Sequence, residues 1–464
     1  MNKQSCNLFW FRRDLRLIDN NGLYQSLKDN KTICCFIFDK IILQKLKSDD
    51  CRVGFIYNSL LEIKKKLKKF NADLIIEYGD PKILIPKIAK KVNANKVYAN
   101  EDYEPYAISR DKAVEKKLKS SKKELILFKD HLIFAKQEIL NKENKPYVVY
   151  THYKNMWLSQ LNETFLHECP SKKHLNNLLK LKLSSNTYLK HISKFNLKSI
   201  MPSGEIGALK RLKHFLKDIE SYKKTRDFPE LDQTSHLGVD LRFGTISIRK
   251  LVSIALEEKS VGSKTWLNEL IWREFFSQIL YNFPYVVKEP FRKQYSKIKY
   301  KNNKKWFEAW CNGETGYPIV DAGMRQLNST GFMHNRVRMI CASFLTKDLL
   351  IDWRWGERYL AEKLIDYELA SNNGNWQWCA STGCDAQPYF RIFNPLLQSK
   401  KFDKKGIYIK KYVPELDKLS EKDIHAPYLS KTLPLTLGKD YPYPIVTHNI
   451  QVKLFKELFK KYKN

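Results

Sequence analysis

The first 130 or so residues alternate between short apolar runs and stretches with apolar residues at helical spacing, and this alternation constrains the fold most. Residues 7–11, 32–38, 74–78, 96–99 and 125–128 read as strands. The first two are continuously apolar, as in a sheet covered on both faces. Between them, residues 53–70 carry Ile56, Leu60, Ile63 and Leu67 at helical spacing, and residues 82–92 and 108–118 read as helices. A β-α repeat of this kind predicts a Rossmann-like parallel sheet with helices on both faces. No G-x-G-x-x-G follows the first strand, so a standard dinucleotide site is not expected there.

Residues 133–200 are irregular and rich in Lys and Ser, and read as a connector. From Ser203 the pattern is helical almost throughout, with Leu209, Leu212, Phe215, Leu216 and Ile219 on one stripe. The expected organisation is an α/β domain over 1–132, a connector over 133–200 and an all-α domain over 201–464, ending in an amphipathic helix near 450–462. The chain's 464 residues are too many for one ordinary core.

Charge narrows the function. The chain has 83 Lys and Arg against 50 Asp and Glu, a net +33, which favours a polyphosphate partner. Lysine runs such as Lys64-Lys65-Lys66 also fit plain solvated helix faces. Aromatic residues make up 13% of the chain, which suits planar ligands or stacked bases, or an aromatic core. Nine cysteines without metal or disulfide spacing imply a reducing compartment and no metal site. No apolar run approaches a membrane span and no signal-peptide pattern opens the chain, so a cytoplasmic, monomeric protein is expected.

Four segments could carry chemistry. In DYELASNNGNWQW, residues 366–378, carboxylates, amides and two tryptophans stand almost without aliphatic filler. That suits the wall of a polar pocket for a flat ligand, or a Trp-rich core with an Asn cap. Asn372 and Trp376 share a face there, whereas Trp378 points elsewhere. In TWLNELIWREFF, residues 265–276, Trp266, Glu269, Leu270 and Arg273 share a helical face and Trp272 lies three residues from Glu269. Glu269 could pair with Arg273, or meet a ligand's ring N–H. In GFMHNRVRM, residues 331–339, Asn335, Arg338 and Met339 fall at i, i+3 and i+4, and Arg338 is a natural mate for Asp366. In YKKTRDFPELDQTSHLG, residues 222–238, Thr234 and Ser235 precede a turn and helix, a placement suited to phosphate or to plain capping. The chain has no Ser-His-Asp set, metal cluster or P-loop, which favours chemistry carried by a bound cofactor.

Together, and in this order, these segments resemble the photolyase/cryptochrome family. FWFRRDLRLIDN at 9–20, GYPIVDAGMRQLNSTG, MHNRVRM, NNGNWQW and DAQPYFRIFNP are similar to its signatures, and within it the chain most resembles the class I cyclobutane pyrimidine dimer enzymes. The resemblance implies light-driven repair of DNA containing pyrimidine dimers, with FAD in the helical domain. Tyr222, Thr234, Ser235, His236, Leu237 and Gly238 would embrace the cofactor's phosphates and ribityl chain. Trp266, Arg273, Asn335, Arg338, Asp366, Tyr367, Glu368 and Asn372 would contact the rest. Glu269, Trp272, Asn335, Met339 and Trp378 would receive the flipped dimer, with Arg226 and Arg336 near DNA. Glu269 and Asn372 would be the catalytic residues.

The resemblance also implies an electron path through Trp376, Trp353 and, where the family has a third Trp, Tyr300. Tyr is harder to oxidise without losing its proton. Phe332 replaces a usual Trp, Glu368 a usual Asp and Gly238 a common Ser. Asn372 is similar to the repair enzymes rather than to plant-type cryptochromes, and His334 beside Asn335, with Met339 further on, favours the cyclobutane substrate over the 6-4 photoproduct. The alternatives are a cryptochrome-like blue-light receptor and a 6-4 photolyase. The α/β domain resembles one that holds a light-harvesting pigment, which implies methenyltetrahydrofolate, a deazaflavin or an empty cleft. Tyr106 and Ala107 stand where folate-binding relatives carry Asn and Glu, which argues against folate.

Overall fold

A computed structural model describes residues 5–181, 186–386, 388–432 and 434–462. Gln387, within the DAQPYFRIFNP stretch, lies outside the described residues.

Five strands form one sheet: β1 Cys6–Phe11, β2 Thr32–Asp39, β3 Leu74–Gly79, β4 Ala94–Asn100 and β5 Glu124–Phe128. Their order is β3-β2-β1-β4-β5 and every pairing is parallel. All residues of β1 and β2 are buried, as the apolar runs CNLFWF and TICCFIFD require. The register sets Phe9 against Cys34 and Tyr98. The chain passes outward from β1 through β2 to β3, then returns to β4 beside β1. The carboxyl ends of β1 and β4 therefore flank the switch point of the sheet.

The crossovers are helical: α1 Asn21–Asp29, α2 Cys51–Lys68, α3 Pro81–Lys91 and α4 Pro105–Lys119. Short acceptor side chains start three of them. Asn20, Asp50 and Asp80 accept from the backbone N–H groups of Leu23, Arg52 and Lys82. The sequence pattern misses α1, whose apolar face is only Leu23 and Leu27. It also misses α5, Tyr150–Gln160, inside the stretch expected to be irregular. The polar THYKN run hides α5, yet Tyr153 and Trp157, four residues apart, are buried.

The helices that matter beyond the connector are α6 Gly204–Phe215, α7 Val261–Asn282, α8 Lys304–Asn312, α9 Pro318–Thr330, α10 Asn335–Ser343, α11 Trp353–Lys363, α12 Leu369–Cys379 and α13 His448–Lys460.

 No strand follows β5, and the rest of the described chain is helical or irregular, as expected. Backbone packing divides the chain into two compact units: Met1–Tyr147 with His152–Ile219 and Ser235–Asn282, and Val148–Thr151 with Glu220–Thr234 and Phe283–Asn464. The first unit thus holds the sheet together with α6 and α7. No helix among the described residues is long and apolar enough to cross a membrane.

Each unit has its own core. In the first, Leu8, Trp10, Ile33, Cys35, Ile37 and Val97 of the sheet pack with Ile85 and Val114 of its helices. In the second, Trp310, Met324, Val337, Phe344, Trp353 and Trp376 belong to one buried cluster. A Cβ on Gly356 would lie 2.1 Å from Cη2 of Trp376, so only Gly lets the indole lie against α11.

Candidate functional site

In the second unit, α10, α11 and α12 line a partly open cavity whose empty space, counted out into solvent, is about 550 Å³. Eight residues expected at a site or an electron path line it: Asn335, Arg338, Met339, Asp366, Tyr367, Glu368, Asn372 and Trp376. His334 caps the start of helix α10, its Nδ1 accepting from the Arg336 backbone N–H at 3.2 Å. One turn on, Arg338 donates through Nε to the Met333 carbonyl at 2.6 Å and through Nη2 to Asp366 Oδ2 at 2.8 Å. The expected Arg338–Asp366 pair is therefore formed. Asp366 Oδ1 is buried and has no hydrogen-bond partner within the protein.

Asn372 makes its own arrangement. Its Nδ2 donates to the backbone carbonyl of Glu357 at 3.1 Å and to Glu357 Oε1 at 2.9 Å. Both partners are acceptors, so the amide nitrogen is fixed toward α11 and the amide oxygen is the atom left for the cavity. Glu357 was not legible as a site residue, because only packing of α11 on α12 brings it to Asn372. Burial pushes its carboxyl pKa up, against the lowering effect of the Asn372 hydrogen bond. Ser371 Oγ donates to Glu368 Oε2 at 3.2 Å, and Asn335 Nδ2 faces Met339 Sδ at 3.9 Å. Ser371 and Asn375 also line the cavity, and their spacing from Glu368 and Asn372 (i, i+3) could have revealed them.

The other expected residues have the following settings. Trp378, on α12, is partly buried and is not among the residues that line this cavity. Tyr222 is buried with the Arg226 guanidinium 5.6 Å from its ring centroid. Arg336 donates to Asp227 Oδ1 at 2.9 Å and stacks over Phe402 at 4.4 Å. Thr234 Oγ1 is buried without a hydrogen-bond partner. Trp376 meets Trp310 ring to ring, with centroids 6.2 Å apart and planes at 70°. Trp353 is buried at the start of α11, with the Arg354 guanidinium 5.2 Å from its ring. Tyr300 packs against a different cluster, formed by Tyr295, Ile298, Leu350, Phe455 and Phe459. Burial, then the charge of Asp352, pushes its hydroxyl pKa up.

In the first unit, α7 carries Trp266, Glu269, Trp272 and Arg273. Trp266 is buried against Phe215 of α6, with centroids 4.9 Å apart. Glu269, Trp272 and Arg273 are partly exposed. The Trp272 ring lies 5.4 Å from Phe276 and 5.5 Å from Phe275. Arg273 Nη1 donates to the His131 carbonyl at 2.8 Å. Ser235 Oγ accepts from the Leu237 N–H at 3.4 Å, His236 has φ 52°, and a short helix begins at Gly238, as the turn-then-helix reading expects. In the sheet domain, Tyr106 donates to Asp39 Oδ2 at 2.7 Å and Ala107 is buried. A hollow of about 740 Å³ lies beside Glu101, Lys129, Lys136, Glu138 and Tyr281. It is larger than the helical cavity, but Lys136 pairs with Glu101 and Lys129 with Glu138, so its charges answer one another.

Residues 7–173 match the family model described as DNA photolyase, and residues 266–461 match the FAD binding domain of DNA photolyase. A deoxyribodipyrimidine photo-lyase of a Synechococcus strain is 39% identical, covering 98% of this chain and 96% of that protein. The chain belongs to the DNA photolyase family. Its fold matches the crystal structure of a bacterial class III photolyase from Agrobacterium tumefaciens, with a TM-score of 0.91 at 33% identity over 100% of this chain and 98% of that one. An archaeal photolyase from Sulfolobus tokodaii, solved with two FAD molecules, gives 0.80 at 34% identity over 99% and 100%. The second FAD of that protein is described as implying a novel light-harvesting cofactor.

Proposed function

We propose that this chain is a light-dependent deoxyribodipyrimidine photo-lyase that splits cyclobutane pyrimidine dimers in DNA. The observation that carries the reading is the cavity wall formed by Arg338, Asp366 and Asn372. It offers a guanidinium, a buried carboxylate oxygen without a partner and a fixed amide oxygen beside the Trp376 indole. Such a set suits the edge of a flavin ring, which carries both an N–H and carbonyl groups. FAD, when bound and reduced, supplies the light-driven electron that opens the dimer and is then recovered.

The chain's own residues bind, orient and screen. Arg338 takes one oxygen of Asp366, which leaves the second oxygen to accept a ring N–H. Asn372 keeps its oxygen toward the ring because Glu357 holds its nitrogen. On α7, Trp272 offers an indole face and Glu269 a carboxylate for the base edge, and Trp378 on α12 offers a second indole. Arg226 and Arg336 contribute phosphate contacts, so binding weakens steeply with salt. Tyr222, Thr234, Ser235, His236, Leu237 and Gly238 hold the phosphate end of FAD. Trp376, Trp353 and Tyr300 carry electrons inward, and the raised Tyr300 pKa makes the last of these the slow donor. The cyclobutane substrate is favoured over the 6-4 photoproduct because His334 stands beside Asn335, with Met339 rather than a second His further along. Residues 1–132 form the antenna domain, 133–200 the connector and 201–464 the FAD- and DNA-binding part. Any antenna there is a deazaflavin-like pigment rather than folate, since Tyr106 supplies a hydroxyl already bonded to Asp39. A monomer working in the cytoplasm completes the reading.

The test is repair of a thymine-dimer oligonucleotide by the purified chain, in blue light and in darkness, with flavin measured after denaturation. Flavin release with light-dependent repair is expected. Flavin and DNA binding without repair would move the chain to the blue-light receptors.

A further inference from the structure

Glu274 follows Trp272 and Arg273 on α7 but faces the other way, about 200° around the helix from Trp272. It is 2% exposed. Its Oε2 accepts from the Ile133 N–H at 2.7 Å. Its Oε1 accepts from the Phe134 N–H at 2.9 Å, from Trp157 Nε1 at 2.6 Å and, more weakly, from the Tyr153 hydroxyl at 3.3 Å. All four neighbours are donors. The loop after β5 and helix α5 thus both hang on one carboxylate. The same loop is gripped from the next residue, because Arg273 donates to the His131 carbonyl. Below it, Asp130 is fixed by Arg16 at 2.6 Å and by Arg249 at 2.8 Å.

We propose that Glu274 is a positioning residue, which fixes the rotation and height of α7 and thereby aims Glu269 and Trp272 at the flipped dimer. This rests on the lesion-binding role given to Trp272 above. Rotation of a helix by even a few degrees displaces side-chain tips on its far face, and the four bonds to Glu274 tie that rotation to the loop after β5 and to α5. The carboxylate must be ionised to accept from every donor, yet burial pushes its pKa up to about 7 despite the Phe134, Ile133 and Trp157 hydrogen bonds and the charge of Arg273. The charged and titratable groups facing it are Arg273 on α7, Tyr153 on α5 and Tyr103 in the loop after β4. Protonation places an O–H against a donor and loosens the clamp.

The test is binding of the full chain, with its cofactor, to an oligonucleotide containing one thymine dimer and to the undamaged duplex, from pH 6 to pH 8.5 at constant ionic strength. The readout is the ratio of the two affinities. The wild-type ratio should fall about tenfold from pH 8 to pH 6, the size of loss expected when one hydrogen bond to a charged group goes. In Glu274→Gln it should be low and flat, with the flavin spectrum unchanged. In Trp157→Phe, which removes one donor, the fall should move to higher pH. A flat wild-type ratio, or a Glu274→Gln profile like wild type, overturns the inference. Should Glu274→Gln fail to fold, an unshifted fall in Trp157→Phe overturns it as well. Trp272→Ala separates the two readings: a wild-type ratio there refutes the lesion-binding role of the helix itself.

Discussion

Replacing Asp366 by Asn tests the cavity most directly. The substitution keeps shape and volume and removes one charge. Asp366 side-chain exposure is 14% and that of Arg338 is 26%, so the pair is neither fully buried nor freely solvated. Breaking a fully buried pair costs about 3–5 kcal/mol, whereas an exposed pair contributes about 0–1. Arg338 also keeps its bond to the Met333 carbonyl. The expected loss of fold stability is therefore about 1–2 kcal/mol. Affinity for FAD should suffer more. Asp366 Oδ1 has no partner within the protein, and an ionised acceptor contributes about 1.5–3 kcal/mol to a hydrogen bond. The dissociation constant for FAD should rise roughly 10- to 100-fold. Fluorescence titration of FAD into the flavin-stripped chain measures this, and a urea melt measures stability. A change in FAD affinity below about threefold, with the stability loss as expected, would refute the claim that this oxygen meets the ligand.

Three further outcomes follow from named contacts. Gly356→Ala drives a methyl into Trp376 and should destabilise the second unit by about 1–3 kcal/mol, seen as a lower Tm. Trp376→Phe should slow photoreduction of the oxidised enzyme, followed by flavin absorbance, while repair by already reduced enzyme continues; lost repair would contradict the electron-path role. Asp348, buried at the end of the segment that continues α10, faces His448 Nδ1 of α13 at 2.5 Å, and burial pushes its pKa up to about 6. A carboxyl with a raised folded pKa adds stability below its unfolded value near 4 and loses it as pH rises toward 6. Asp348→Asn should flatten that part of the stability profile, and urea melts at pH 4 and pH 6.5 would reveal an unchanged slope if the assignment is wrong.

Much of the site was legible because its residues are close in sequence on regular helices. Asn335, Arg338 and Met339 share a face by spacing alone, and α10 presents them to one cavity. The Arg338–Asp366 pair was legible as a match of charges. Trp378 was grouped with the lesion-binding residues, and the cavity described here lies on the other face of its helix, which is where Asn372 and Trp376 point. Strands β1 and β2 stood out because a sheet covered on both faces demands apolar runs there. Helices α1 and α5 did not, since each buries only a few side chains and the rest of its surface is polar.

Periodicity and charge by themselves determined the β-α order, the helical remainder and the pairing of a basic chain with aromatic pocket residues, because these depend on neighbours within a few turns. Only the tertiary structure decided that Glu357 turns the Asn372 amide, that Gly356 makes room for Trp376, and that Glu274 gathers donors from two distant segments. Those contacts join residues separated by up to 141 positions, and no local pattern encodes which donor will reach which buried carboxylate once the cores have closed.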